Sequence, residues 1–139
     1  MNVELHNIRN YQAVPQECIA YIGKYMTSTQ YQVDSERTIS ECILHLTTNC
    51  ILEKDGKDSW IFDIDDTLLS SVPYYKKNGF GSQEDECKNV QKFKAEARNK
   101  IISKGYRIVG IIGDQWSSIV GLPSAKRSFK LPNPMYYIA

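Results

Sequence analysis

What this chain lacks narrows what it can be. No apolar run reaches the roughly 18 residues that a membrane-spanning helix needs. The start, Met1-Asn2-Val3-Glu4-Leu5-His6-Asn7, has no basic stretch followed by an apolar core, so no secretory signal is visible. Every Asn fails the Asn-x-Ser/Thr pattern, so there is no glycosylation acceptor. A dominant charge is also missing. The net charge is +1, and basic residues pair only at Lys76-Lys77 and Lys126-Arg127, which argues against nucleic-acid or anionic-membrane partners. None of the four cysteines, Cys18, Cys42, Cys50 and Cys87, stand as Cys-x-x-Cys, which disfavours a zinc ribbon or thioredoxin site. Four cysteines allow three pairings, and spacing does not choose among them. Cys18 and Cys42 fall on apolar helical stripes and read as small core residues. No internal repeat or low-complexity stretch is present.

What remains is an ordinary globular composition, 42% hydrophobic and 24% charged over 139 residues. That length suits a single domain (1–139) able to hide about two thirds of its unfolded surface. Residues 15–26 read as a helix opened by Pro15, with Cys18, Ile19, Ile22, Tyr25 and Met26 at helical spacing. A second helix is expected with Asp34 as N-cap and a stripe of Ile39, Cys42, Ile43 and Leu46. After a turn at Asp55-Gly56-Lys57-Asp58, the run Trp60-Ile61-Phe62 reads as a buried strand. Residues 73–81, with Pro73, Gly79 and Gly81, read as a loop whose aromatics could line a mouth. Residues 88–104 predict an amphipathic helix carrying Val90, Phe93, Ala97 and Ile101 on one face and ended by Gly105. A second buried strand, Tyr106 to Ile112, runs into Gly113-Asp114, and a short third strand around Ser128-Phe129-Lys130-Leu131 is stopped by Pro132.

Two apolar strands therefore end at carboxylates, and parallel α/β sheets place their chemistry at the carboxyl ends of strands. Asp63 and Asp65, two residues apart, can face one crevice, with Asp114 at the end of the neighbouring strand. Such carboxylates repel one another unless a cation joins them, and hard oxygen ligands with open positions suit Mg²⁺. A carboxylate can also attack phosphorus, and a lysine such as Lys94 would offset phosphoryl charge. Taken alone, an Asp-x-Asp at a strand end is often only a cap. An EF-hand places Asp63, Asp65 and Thr67 at loop positions 1, 3 and 5, but fails because Leu68 replaces the glycine and Tyr74 the glutamate. There is no Walker loop. Of the two histidines, His6 and His45, the latter sits on the second helix as a packed or surface residue.

Several motifs in order carry a resemblance. Trp60-Ile61-Phe62-Asp63-Ile64-Asp65-Asp66-Thr67-Leu68-Leu69-Ser70 resembles the first motif of the plant class B acid phosphatases and vegetative storage proteins, in the haloacid dehalogenase (HAD) superfamily. Pro73-Tyr74-Tyr75 through Asn78-Gly79-Phe80-Gly81 is similar to the segment just after that motif in the family. Gly105-Tyr106-Arg107-Ile108 through Gly113-Asp114-Gln115-Trp116-Ser117 resembles the fourth motif, and Arg127 through Tyr137 the family's C-terminus. Val14-Pro15-Gln16-Glu17-Cys18, Tyr25-Met26, Gln30-Tyr31 and Asp34-Ser35 resemble its N-terminal region.

The resemblance implies a HAD-like Rossmannoid α/β fold with a parallel sheet, built on residues 54–139 and preceded by an N-terminal helical segment, residues 1–53. It implies hydrolysis of a small phosphomonoester. Asp63 would be the nucleophile and Asp65 the acid/base. Lys94 would be the third-motif lysine, and Thr67 and Lys94 would contact substrate. Asp63, Asp65 (through its main-chain carbonyl) and Asp114 would hold Mg²⁺. It also implies a homodimer and a secreted or vacuolar location, beside a cytosolic one suggested by the missing signal.

Two departures qualify it. Ser118 stands where the family's fourth motif carries a second acidic residue, which would weaken metal binding. Only Ser70 to Phe93 separate the first and third motifs, too short for a βαβ unit of roughly 30 residues plus its connections. The second motif, with its phosphate-binding Ser or Thr, is absent. The sheet is then incomplete, retaining the strands of motifs I and IV and a C-terminal strand, and the first strand becomes its edge. The alternative to a phosphatase is thus a catalytically inactive storage-type protein or an internally deleted gene product.

Overall fold

Arg107 to Gly113 is apolar at every position after the first, and such runs form strands covered on both faces. In the computed structural model, which describes residues 11–78 and 90–138, this run is the middle strand of a three-stranded parallel sheet. The elements in chain order are β1 (Tyr11–Ala13), a 3₁₀ turn (Gln16–Cys18), α1 (Ile19–Met26), α2 (Thr29–Thr48), β2 (Asp58–Phe62), α3 (Val72–Asn78), α4 (Val90–Ser103), β3 (Arg107–Gly113), α5 (Trp116–Ile119), β4 (Ser128–Lys130) and β5 (Tyr136–Ile138). The sheet order is β2-β3-β4, with Ile61 opposite Ile111, and Ile112 opposite Phe129. β1 pairs antiparallel with β5, tying residue 11 to residue 138. This is an α/β fold, a fragment of the HAD-like architecture with the strands of motifs I and IV and a C-terminal strand. Among the described residues β2 is an edge of the sheet, as expected from the short interval between Ser70 and Phe93.

The core has two parts. Cys42 of α2 packs on Ile112, Phe129 and Leu131, with Trp60 stacked on Phe129 at a centroid distance of 6.0 Å. Gly110 lies beneath that indole, where an added Cβ would overlap the ring. Ile22 and Met26 of α1 meet Tyr75 and Met135 in the second cluster. Gly105, at φ +83°, ends α4 in a Schellman closure: Tyr106 donates to the Ile101 carbonyl and Gly105 to that of Ile102.

Several expectations need correction. α2 starts at Ser28, whose hydroxyl accepts from the Tyr31 amide. Asp34 is therefore mid-helix, where it accepts from the Tyr25 hydroxyl at 2.8 Å and from the Gln30 amide. Of the α2 stripe only Cys42 is buried, while Ile39, Ile43 and Leu46 are exposed. Residues 72–78, expected to be loop, form α3, and Tyr75 is buried in the core rather than lining a mouth. In α4 the inward residue is Arg98, whereas Phe93 and Ala97 face out. β2 is half-buried, not buried, with Phe62 exposed. The exposed apolar positions on α2, α4 and β2 share a physical cause: periodicity assigns an apolar stripe to the core without showing whether anything covers it. His6, Cys87, the 79–81 motif and the first two residues of the expected 88–104 helix lie outside the described residues. Cys18, Cys42 and Cys50 are free thiols. Among the described residues no helix is long and apolar enough to cross a membrane.

Candidate active site

The first carboxylate follows β2. The Asp63 amide donates to the Ile112 carbonyl at 3.0 Å, so the ladder holds its backbone at the strand end. The chain then turns tightly: the amides of Leu68 and Leu69 both reach the Ile64 carbonyl, and Asp66 sits at φ +50°. That left-handed conformation is tolerated best by Gly, Asn and Asp. Asp66 is buried and accepts from the Ser71 amide (2.8 Å), the Ser71 hydroxyl (2.6 Å) and the Tyr136 hydroxyl (2.7 Å). A strained residue held by three donors fixes the loop.

Lys94 comes to Asp63 from α4. Its Nζ lies 3.0 Å from both Oδ1 and Oδ2 of Asp63 and 2.7 Å from the Ser118 Oγ. The Ser118 hydroxyl in turn donates to Asp63 Oδ2. Gly113 permits this closeness, since a Cβ there would stand 2.8 Å from that of Ser118. Arg98, one turn beyond Lys94, donates to the Ser118 carbonyl at 3.0 Å and the Val120 carbonyl at 2.9 Å, anchoring α4 to the segment after β3. A groove of about 140 Å³ opens beside this cluster, lined by Ile61, Phe62, Asp63, Lys94, Arg98 and Ser118 among others.

Asp114 follows β3 and is 1% exposed. Its Oδ2 accepts from Asn133 at 2.7 Å and Gln115 at 3.0 Å, while Oδ1 meets the Thr67 hydroxyl at 3.4 Å. Burial pushes its carboxyl above the ordinary range, the Asn133 and Gln115 bonds oppose that, and the charges of Asp63 and Asp66 add to it. Asn133 reaches Asp66 Oδ2 as well, at 3.4 Å, so one amide joins the two loops. Asp65 is exposed at the turn. Asp63, Lys94, Thr67 and Asp114 are thus brought together, and Asp65 borders them on the solvent side. Sequence reasoning missed the parts played by Asp66, Ser71, Arg98, Asn133 and Tyr136. A polar residue among apolar ones, such as Asn133 between Pro132 and Pro134, is the only local hint.

The donor set fits a hard cation. Asp63 and Asp114 are neighbouring carboxylates, and Thr67 adds a hydroxyl oxygen beside Asp114. No three His, Cys, Asp or Glu side chains converge among the described residues, so such an ion would keep main-chain and water ligands, as Mg²⁺ commonly does.

Two comparisons place the chain in a family. The model of the HAD superfamily, subfamily IIIB (acid phosphatase), matches residues 1–85 and 80–139, and the chain belongs to this family. Acid phosphatase 1 of Solanum lycopersicum is 28% identical over 98% of this chain and 80% of its own length. Vegetative storage protein 1 of Arabidopsis thaliana is 31% identical, covering 99% of this chain and 77% of its own. The Stem 28 kDa glycoprotein of Glycine max is 29% identical over 98% and 81%. The first of these alignments runs over 206 positions, and the chain has 139 residues, so at least 67 positions of that relative have no counterpart here. The family match breaks at 80–85, between α3 and α4.

Proposed function

We propose that this chain is a hydrolase of small phosphomonoesters working through a phospho-aspartate, slowed by loss of the second motif. The observation that carries the reading is the contact of Lys94 Nζ with both Asp63 oxygens at 3.0 Å, across 31 residues of sequence. A carboxylate held at a strand end beside a fixed cation is a positioned nucleophile.

Asp63 attacks phosphorus as the ester P–O bond breaks, and Asp65, open to solvent, gives its proton to the departing alkoxide. Asp65 then takes a proton from water, whose oxygen attacks phosphorus and frees Asp63 with inorganic phosphate. Lys94 balances charge on Asp63 and on the phosphoryl oxygens, and Thr67 faces the same crevice. Asp63, the Asp65 carbonyl and Asp114 would hold Mg²⁺, which when bound offsets phosphoryl charge. The Ser118 hydroxyl occupies Asp63 Oδ2 and must turn away before that oxygen can attack.

The test is phosphate release from p-nitrophenyl phosphate with Mg²⁺, by wild type and Asp63→Asn in parallel. Wild-type turnover should exceed that of the variant by about 10³-fold or more. Equal rates in the two would sink the assignment. A second reading is favoured by the break in the family match at 80–85: a non-catalytic, storage-type or internally shortened protein. Robust Mg²⁺-dependent turnover by the purified chain would remove it.

A further inference from the structure

A lysine ammonium has three hydrogens to donate and cannot accept. Lys94 directs its Nζ to the two oxygens of Asp63 and to the Oγ of Ser118. The Ser118 oxygen therefore receives from Lys94, and its own hydrogen goes to Asp63 Oδ2. Each of the three groups touches the other two, and Ser118 is the neutral donor among them. All three line one groove. The side chains of Asp63 and Lys94 keep 18% and 28% of their surface, whereas Ser118 is buried. Water competes little for a hydrogen bond made there, so its direction follows the nearest charge.

The backbone of Ser118 is held while its hydroxyl hydrogen is not. The Ser118 amide donates to the Gln115 carbonyl at 3.1 Å, and the Ser118 carbonyl accepts from Arg98 at 3.0 Å. Arg98 follows Lys94 by one turn, so α4 both delivers the lysine and fixes the serine. Gly113, without a side chain, lets the Ser118 Cβ sit close against β3. Rotation about the Cβ–Oγ bond redirects the hydrogen without moving any of these anchors. The family resemblance leads one to expect an acid at this position, and an ionised acid has no hydrogen to donate. The serine has one.

We propose that Ser118 is a phosphoryl-oxygen donor, whose hydrogen bond passes from Asp63 Oδ2 to the phosphoryl group as the bond between Asp63 and phosphorus forms. This rests on the phospho-aspartate reading above. Before attack, Asp63 carries the negative charge and takes the hydrogen bond. As its oxygen bonds to phosphorus, the electron pair of the ester P–O bond leaves with the alkoxide, which Asp65 protonates. Asp63 is then a neutral acyl group, and the negative charge lies on the phosphoryl oxygens. Hydrogen bonds to ionised acceptors are roughly twice as strong as those to neutral ones, so the Ser118 hydrogen follows the charge. The proton stays on Oγ throughout, and only its acceptor changes. In the free protein the bond to Asp63 already exists, so the gain comes as the charge moves and not when substrate binds.

Beryllofluoride bonds a carboxylate oxygen in place of a phosphoryl group and needs no turnover. Titrated with Mg²⁺ into the full chain and followed by fluorine NMR, it should form an adduct that Asp63→Asn abolishes. Ser118→Ala should weaken that adduct by about tenfold or more. Ser117→Ala is the control: Ser117 is equally buried on the same short helix, and its Oγ has no hydrogen-bond partner among the described residues, so its adduct should match that of wild type. Urea denaturation shows that each variant folds. If Ser118→Ala does not, Ser118→Cys, which fills the site with a weak donor, gives the same reading. With p-nitrophenyl phosphate, Ser118→Ala should lower kcat and leave KM nearly unchanged. No adduct with the wild-type chain removes the nucleophile assignment and this role with it. An adduct lost in Asp63→Asn but equally tight in Ser118→Ala overturns the role of Ser118 alone. So does a tighter adduct or faster turnover in Ser118→Ala, which would make Ser118 a block on Asp63, or an equal loss in Ser117→Ala.

Discussion

The two sides of the sheet differ in how completely their groups are satisfied. On the β4 side, the loops after β2 and β3 are laced to the chain end. Asp66 has Ser71 and Tyr136, Asp114 has Gln115, and Asn133 touches both carboxylates while its own oxygen takes the Met135 amide. On the β2 side, Phe62, Phe93 and Ile43 stand in solvent, and the strand's outer hydrogen-bonding groups meet no described strand. The difference teaches that the elements carrying the candidate chemistry do not depend on the missing segment for position. Asp63, Lys94 and Asp114 are held from the finished side. What the family resemblance leads one to expect on the β2 side, and the described residues do not supply, is cover together with a second-motif phosphate ligand.

The largest effect should come from breaking the finished side. Asn133→Ala leaves two buried carboxylates short of a donor and exposes the Met135 amide to a void, which should cost about 2–4 kcal/mol. Urea denaturation in metal-free buffer measures it. A loss below about 0.5 kcal/mol, the size of an ordinary surface change, would mean that the network does not hold the loops.

Gly113→Ala sits between the two sides. A methyl group there would meet the Cβ of Ser118 at 2.8 Å and that of Asp63 at 3.4 Å, and both neighbours are fixed by backbone. The cost should be about 1–3 kcal/mol, with Ser118 displaced from Asp63. Unchanged stability together with unchanged phosphatase kinetics would show that the segment after β3 is softer than its contacts indicate.

Phe93→Ser probes the open side. It should change stability by no more than about 0.5 kcal/mol. A loss as large as that of Asn133→Ala would show that Phe93 is covered within a single chain.

Much of this contrast is legible in the sequence, and the failures share a cause. Asp63 and Asp114 stand out because each ends an apolar run, and the edge position of β2 because 24 residues from Ser70 to Phe93 cannot hold a βαβ unit. Gly105 marks the end of α4 because an αL closure favours glycine. Periodicity cannot tell that Ile39, Ile43 and Phe93 face water, since a stripe records what a helix once covered and not whether the cover is present. Asp34 looks like a cap because Asp and Ser are equivalent signals, and Ser28 wins by position. Asn133 and Tyr136 meet Asp66 across 67 and 70 residues, a separation at which no local pattern exists.

The smallest effect concerns pH, and it has opposite signs at the two ends of the sheet. At the start of β2 and β3, Arg107 donates to Asp55 and Asp58, and holds the Asp55 carboxyl down to about 2 and that of Asp58 below its usual value. A folded value below the unfolded one stabilises above the ordinary carboxylate range near 4 and is lost as pH falls toward about 2. Asp114, raised chiefly by burial, does the reverse: its contribution is present in acid and is lost as pH rises through its folded value. In chelator-treated protein, Arg107→Gln should therefore flatten the acid limb of the urea midpoint against pH. Asp114→Asn should flatten the opposing loss at higher pH. The Arg107 effect should be small and fade with added salt, because Asp55 is exposed and its ion pair is screened. An acid limb that Arg107→Gln leaves unchanged would show that the cluster contributes nothing at the open end of the sheet, and that acid acts on this protein elsewhere.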